Sequence, residues 1–399
     1  MRKILALLLA AALVLALAAC GSAAASSAPA EEAASAAASA EEAASPAEEA
    51  APAEEAAPAE EAAPAEEAAP AEAAPIDCDP LEIKFNSTYQ ETETGGQLQK
   101  YFIDQLSQLS NGAITVDVSW GGTLFDSIGE MDAVIDGVVD MINLGHMPHL
   151  DTIPYMSMPG FAPGGTQAAL DYFNTLMFDD PETSALIQGE AEELGIKYLG
   201  TLAGGANAFC AKFPFDSLDS LVSQSSAFGN FDAAIFEYLG FQVSAVMPPD
   251  TYQALDRGMI DATQMGFAPM VSMAWYEVAP YWALDGTYAA GNFFTVNLAW
   301  WDGLTDAQRE VIQMAVDATE AYSATIYDDD IAANQALVEE KTGNAFVVLS
   351  DEDIAKIWEA TFEAKAADAM ARAENHGKAD GMHKILEKAA QLTGYDWKG

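Results

Sequence analysis

The sequence predicts an α/β fold of two lobes, and three observations carry that expectation. The first is a pair of stretches that copy one another, Asp132 to Gly145 (DAVIDGVVDMINLG) and Gln253 to Gly266 (QALDRGMIDATQMG). Aligned without a gap they share Ala133/Ala254, Gly137/Gly258, Asp140/Asp261 and Gly145/Gly266, with apolar residues matched at Val134/Leu255, Val138/Met259 and Val139/Ile260. Each copy reads as a helix end, a glycine free to take the left-handed conformation after it, and then a strand. The second observation is what precedes each copy. Leu98, Phe102, Leu106 and Leu109 form a helical stripe that stops at Asn111-Gly112 and gives way to a strand over Ile114 to Val118. Ala233 to Leu239 stops at Gly240 and gives way to Phe241 to Val246. The third is the chain that joins the units: a crossing strand at Ile196 to Leu202, then a helical pattern from Thr305 long enough to span both. In such units a ligand sits beyond the carboxyl ends of the parallel strands. Those ends fall near Gly145-His146 and Gly266-Phe267, so the two units are expected to face each other across a cleft.

Taken in order, the chain opens with Arg2-Lys3, an apolar run from Ile4 to Ala19, and Leu17-Ala18-Ala19-Cys20. A charged start, a short apolar run and small residues before a cut make residues 1–19 a secretory signal. The run, about sixteen residues, is short for a membrane span. Cysteine after Leu-Ala-Ala resembles a bacterial lipobox, which implies a lipidated Cys20; the alternatives are an ordinary signal with an incidental cysteine, or an uncleaved anchor. Residues 20–75 are almost entirely Ala, Glu, Pro and Ser, settling into the repeat PAEEAA. With no side chain there to bury, nothing offsets the entropy of ordering, and the prolines interrupt helix, so this segment is read as an extended acidic tether.

The remaining chain has ample length for two lobes: 76–203 for the first, 204–290 for the second, and 291–399 returning to the first with the spanning helix and the C-terminal helices. Acidic residues number 62 against 16 basic ones, and the tether holds only 13 of the acids, so the folded part is strongly acidic too. That balance argues against nucleic acid as a partner. Cys78 and Cys210 are the cysteines beyond Cys20; export permits a disulfide between them, and nothing in their spacing demands one. Leu81 to Phe85 reads as the first strand, and Asn86-Ser87-Thr88-Tyr89 as a polar loop that caps the first helix or faces the cleft. Ile153 to Phe161 is an apolar loop broken by prolines. Thr166 to Met177 and Pro181 to Leu194 form a helix pair ending at Gly195. Gly204-Gly205 follows the crossing strand as a hinge. Asn292 to Ala299 is the return strand, and Thr305 caps the long helix, which runs toward Glu340 and Gly343. Asp351 to His376 is a last amphipathic helix, packing back on the first lobe.

The order of these segments, with VSWGGTLF, DGVVDM, IPYMSMPGF, YLG, PFDSLDSL, LGFQVSAVMPPDTYQALDRGMIDA and LTDAQREVIQMAVD, resembles the solute-binding subunit of tripartite ATP-independent (TRAP) transporters, dicarboxylate type. The resemblance covers nearly all of residues 81–369. It implies a two-lobed periplasmic-binding-protein-like fold of class II, with crossover strands and a long helix spanning both lobes. It also implies an extracytoplasmic receptor, lipid-anchored to the bacterial cell membrane, that closes on a small organic solute and delivers it to integral-membrane subunits. The departures are chemical. The family's arginine that forks onto a solute carboxylate is matched by Ala227, a second arginine by Asn207, and an asparagine by Met265. Lys212 and Arg257 are the only cations between Gly200 and Leu304.

A buried anion without a charge partner costs several kcal/mol, so the family's carboxylate preference is not carried over. The candidate contacts are Trp120, Phe209, Phe228, Met247, Met265 and Phe267, with the neutral hydrogen-bonders Asn86, Tyr89, His146, Asn207 and Gln264. These favour an uncharged, aromatic or cationic solute. Phe231 and the run from Trp275 to Trp282 add aromatic candidates, each weighed against a place in the core. His146 and His149 are separated by Met147-Pro148 and lack metal-ligand geometry, so no metal is expected. No nucleophile motif, phosphate loop or dinucleotide fingerprint is present, so neither a cofactor nor catalysis is expected. The other reading is a surface lipoprotein that uses the same fold as a ligand sensor or adhesin.

Overall fold

In the computed structural model, residues 74–399 are described, apart from Phe231 and the side chain of Ala290; the signal, Cys20 and the tether as far as residue 73 lie outside them. Along β1 (Leu81–Asn86), Ile83 and Phe85 turn inward while Glu82 and Lys84 face out. The inward face meets Leu98, Phe102, Leu106 and Leu109 of α1 (Thr94–Leu109). β2 (Ile114–Ser119) pairs with β1 in parallel. α2 (Glu130–Ile135) leads to β3 (Met141–Leu144), parallel to β1 on its other side. After a short β4 (Phe161–Pro163) come α3 (Thr166–Asn174) and α4 (Pro181–Glu193).

β5 (Ile196–Ala211) leaves this first lobe. Beyond it lie α5 (Leu218–Gln224), β6 (Phe228–Gly229), α6 (Ala233–Tyr238), β7 (Val243–Ser244), α7 (Pro248–Asp256), β8 (Ala262–Gly266) and α8 (Phe267–Ser272). β9 (Tyr281–Asn297) returns, followed by α9 (Leu298–Asp302), α10 (Asp306–Thr342), α11 (Asp351–Asn375) and α12 (Ala379–Thr393). The sheet order is β2-β1-β3-β9-β5-β8-β6-β7, with β4 on β9. β5 and β9 run antiparallel through the middle. One end of that ribbon carries the parallel set β1, β2 and β3, and the other the parallel set β8, β6 and β7.

The repeated stretches are one object built twice. Gly137 and Gly258 take φ +68° and +69°, and the amides of Val138 and Met259 reach back to the carbonyls of Ala133 and Ala254, both at 2.9 Å. The amides of Asp140 and Asp261 then bond the carbonyls of Lys84 and Ala227, again at 2.9 Å. The aspartates hold the start of the neighbouring parallel strand. Asp140 accepts from the Lys84 amide at 2.8 Å; Asp261 accepts from the Ser226 amide and the Ser225 hydroxyl at 2.8 Å and the Ala227 amide at 3.3 Å. Burial pushes the Asp261 carboxyl upward, but these bonds outweigh it and hold it below the usual range.

Two helices clamp the central ribbon from opposite faces. α10 packs on α1 and β5 and reaches α8, with Thr305 and Gln308 closing a capping box at its start and Gly343 in the left-handed conformation after its end. α11 packs on residues 154–157 of the first lobe, on β9 and on α6 of the second. That corrects the expectation of a last helix confined to the first lobe: Ile357 and Ala360 join the second lobe's core while Phe362, Ala366 and Ala369 join the first's. α12 follows it. β5 and β9 are also longer than their sequence readings, because the turn-like Gly204-Gly205 and Asp285-Gly286 are absorbed as irregularities within paired strands. The strand read over Phe241 to Val246 shrinks to β7, since Phe241 is spent in an aromatic cluster with Phe209, Phe228 and Phe236.

Candidate functional site

Where β5, β8 and β9 meet, between Phe161 of β4 and the face of α11, lies a cavity of about 100 Å³. Asn207, Asn230, Asp232, Gln264, Met265, Asp285 and Thr287 line it, with Ile235, Phe236, Ile357 and Thr361. Asp285 is 1% exposed and is the hub of its polar wall. Its Oδ1 accepts from the amide and the hydroxyl of Thr287, both at 2.8 Å, and its Oδ2 from Gln264 Nε2 at 2.6 Å. Asn207 Nδ2 donates to Thr287 Oγ1 at 3.0 Å, and Asn230 Nδ2 to the Gln264 carbonyl at 2.7 Å. Burial raises the Asp285 carboxyl, and the donors from Gln264 and Thr287 only partly offset it. Asp232, at the rim, pairs with Lys365 of α11.

The first lobe contributes a second polar group. Tyr89 Oη accepts from Asn292 Nδ2 and from the Tyr327 hydroxyl of α10. Beside it Glu130 is fully buried; its Oε1 receives only a 3.4 Å bond from the Gly145 amide and its Oε2 has no protein partner. Burial drives the Glu130 carboxyl up to about 8, with the Gly145 amide and the nearby Asn86 side chain opposing it only weakly. His146 is 4% exposed, edge-on to Phe293 at 5.3 Å, with Nδ1 unpartnered. Burial, then His149, lowers its imidazole to about 4, so it is neutral.

Among the residues singled out from sequence, Asn207, Gln264 and Met265 line the cavity. Tyr89 and His146 lie in the first lobe's polar group, and Trp120 is half-buried after β2. Five do not serve as expected. Phe209, Phe228 and Phe267 are 0%, 0% and 1% exposed inside the second lobe's cores: strand alternation turns the first two away from the cleft, and Phe267, which opens α8, packs on Trp282 and Phe346. Asn86 is spent on Phe125, its Nδ2 donating to that carbonyl and its Oδ1 accepting from that amide. This rules out the capping role as well, since α1 starts at Thr94 without a side-chain cap. Met247 is 58% exposed, ahead of α7. Ala227 sits where β6 begins, bonded to Asp261, so the chain that reaches the cavity from that strand is Asn230. Lys212 Nζ donates to the Leu255 carbonyl at the end of α7, away from the cavity. Cys78 and Cys210 are free thiols.

Phe161, Asn230, Asp232, Asp285, Thr287 and Glu130 escaped the sequence reading. The signal available was weak: Asp285-Gly286-Thr287 has the composition of a turn, and its carboxylate gains meaning only when β9 is seen to pass between β5 and β4.

This arrangement of two parallel sets joined by a crossing ribbon has known counterparts. The family described as bacterial extracellular solute-binding protein, family 7, matches residues 85–371. The chain belongs to this family. Its members are binding receptors and not enzymes. A curated relative, the C4-dicarboxylate-binding periplasmic protein DctP of Rhodobacter capsulatus, is 23% identical over 306 residues, 74% of this chain and 85% of its own. Among solved structures, a TRAP periplasmic solute-binding protein from Ochrobactrum anthropi superposes with a TM-score of 0.66 at 18% identity, over 79% of this chain and 97% of its own. One from Desulfovibrio desulfuricans with bound sn-glycerol-3-phosphate gives 0.61 at 19%, over 80% and 99%. One from Roseobacter denitrificans with bound β-D-glucuronate gives 0.59 at 18%, over 79% and 100%. The two-lobed fold expected from the repeat is the family's fold. No helix among the described residues is long and apolar enough to cross a membrane.

Proposed function

We propose that this chain is the solute receptor of a TRAP transporter, capturing a small organic solute between lobes 76–203 plus 291–399 and 204–290 and handing it to integral-membrane subunits. The lobe boundary is drawn where β5 and β9 cross most closely. A Cβ on Gly204 would lie 2.8 Å from the Ala289 carbonyl, and one on Gly291 3.1 Å from that of Ala203. Pairing there shifts register between Ala203 and Ala208, a natural place for the ribbon to bend. Cys20 carries the lipid and the acidic tether holds the receptor off the membrane surface, as the Leu-Ala-Ala-Cys stretch supports.

The solute is uncharged, aromatic or cationic, held without the arginine clamp. The observation that carries this is the cavity wall: two carboxylates, Asp285 and Asp232, face it, and the cation at its rim, Lys365, is already paired to Asp232. A carboxylate guest beside Asp285 meets like charge and no free partner. The test is uptake. Deleting the chain abolishes ion-gradient-driven uptake of the solute, and Cys20→Ser releases the receptor from the membrane fraction. Unchanged uptake in the deletion strain refutes the transport role, and a receptor still membrane-bound after Cys20→Ser refutes the anchor.

A further inference from the structure

The proposal rests on the cleft reading above and takes it one step further, to the chemical class of the occupant. A buried carboxylate only accepts hydrogen bonds when ionised, and Asp285 therefore dictates the orientation of everything around it. Gln264 must turn its Nε2 toward Asp285, at 2.6 Å, which leaves Oε1 facing away from it. Thr287 must spend its proton on Asp285, at 2.8 Å, so Thr287 Oγ1 can only accept from Asn207 Nδ2, at 3.0 Å. Asn207 Oδ1 is thereby turned away from Thr287. Among the described residues no donor reaches either amide oxygen, and both residues line the cavity. One carboxylate has in this way set two amide dipoles with their negative ends outward, and its own charge is left without a cationic partner. Phe161, Phe236 and Met265 add apolar lining.

We propose that the cavity takes an organic amine in its ammonium form, carried on a small apolar or aromatic frame, with N–H donors to Asn207 Oδ1 and Gln264 Oε1 and Asp285 as the counter-charge. Three features act together. The ammonium group supplies the donors these oxygens lack, neutralises the unpaired carboxylate, and sets its frame against aromatic faces that favour cations. The chain's net charge of −46 adds a long-range attraction for cations in dilute salt.

The test holds the frame constant and varies the charge. Benzylamine, benzyl alcohol and benzoate are titrated calorimetrically against the full chain. The expected result is benzylamine binding at least about tenfold tighter than benzyl alcohol, a difference of about 1.4 kcal/mol, with benzoate silent. In Asp285→Asn the preference for amine over alcohol falls to within about threefold. Because that variant can lose affinity by folding poorly, Asn207→Asp serves as the gain-of-function partner, widening the preference for benzylamine over benzyl alcohol. Benzoate binding tightest, or alcohol and amine binding equally, overturns the inference while leaving a solute cleft in place. Amine binding that neither variant alters places it outside the cavity and overturns both readings. Silence from all three probes also counts against the inference; the cleft reading then stands or falls on the uptake experiment.

Discussion

Replacing Glu130 by glutamine is expected to stabilise the protein, and to do so more as the pH rises. The carboxyl is fully buried, has one oxygen without a protein partner, and titrates near 8 instead of 4.5. The folded state therefore binds a proton that the unfolded chain releases between those values. By linkage, Glu130's contribution is fully present below pH 4.5 and is lost as pH rises through 8. At pH 7 the cost of keeping it protonated is roughly 3 kcal/mol, two and a half pH steps at about 1.4 kcal/mol each. Glutamine keeps the shape and an acceptor for the Gly145 amide and has no proton to lose. Allowing for imperfect amide partners, the expected gain at pH 7 is about 2 kcal/mol, or roughly 3 °C in the unfolding midpoint for a chain of this size. It shrinks toward zero at pH 4.5. Thermal unfolding of both proteins by circular dichroism from pH 4.5 to 8.5 reads this directly, and the neutral His146 is common to both and cancels. A variant that is less stable at every pH, or more stable by a pH-independent amount, refutes the reasoning.

Four further substitutions test the frame. Gly204→Val places side-chain atoms into the Ala289 carbonyl at the crossing of β5 and β9; it is expected to cost about 2 kcal/mol or more and to abolish the solute-dependent compaction seen by small-angle scattering. A variant that still closes shows the bend lies elsewhere. Asp261→Ala removes the bonds to Ser225, Ser226 and Ala227 and is expected to cost about 2–3 kcal/mol, whereas Asp140→Ala, with its single bond to Lys84, costs about 1. Equal losses in urea unfolding contradict the unequal roles assigned to the two copies. Thr305→Ala breaks the capping box of α10 and is expected to lower stability by about 1 kcal/mol, checked in the same titration.

The fold was largely legible because its determinants are local and repeated. A glycine after a helix, an aspartate before a strand and a Thr-x-x-Gln box are short-range signals, and each recurs in the structure with the expected backbone. The ribbon was harder. β5 and β9 hold Gly204, Gly205 and Gly286, residues that read as punctuation, and only their mutual pairing makes them strand. The site was legible where a residue lies on a strand whose place the repeat or the crossing pattern sets, as for Gln264 on β8 and Asn207 on β5. It failed for Phe209 and Phe228, since a shift of one residue exchanges cleft for core, and for Phe267 because the chain turns from β8 into α8 there. It failed for Asp285 and Glu130 because a lone acid in an acidic chain carries no signal until its burial is known.

On the proposed reading, this receptor recognises its solute without a cationic clamp. The most direct measurement is a thermal-shift screen against matched sets of carboxylates, amines, neutral aromatics and polyols, repeated with an Asn207→Trp variant that fills the cavity. A ligand at a hundredfold excess over its dissociation constant stabilises the folded form by about 2.7 kcal/mol. Amines or neutral compounds are expected to give shifts that vanish in Asn207→Trp, with carboxylates inert. Stabilisation confined to dicarboxylates or sugar acids, and lost in the same variant, contradicts that reading.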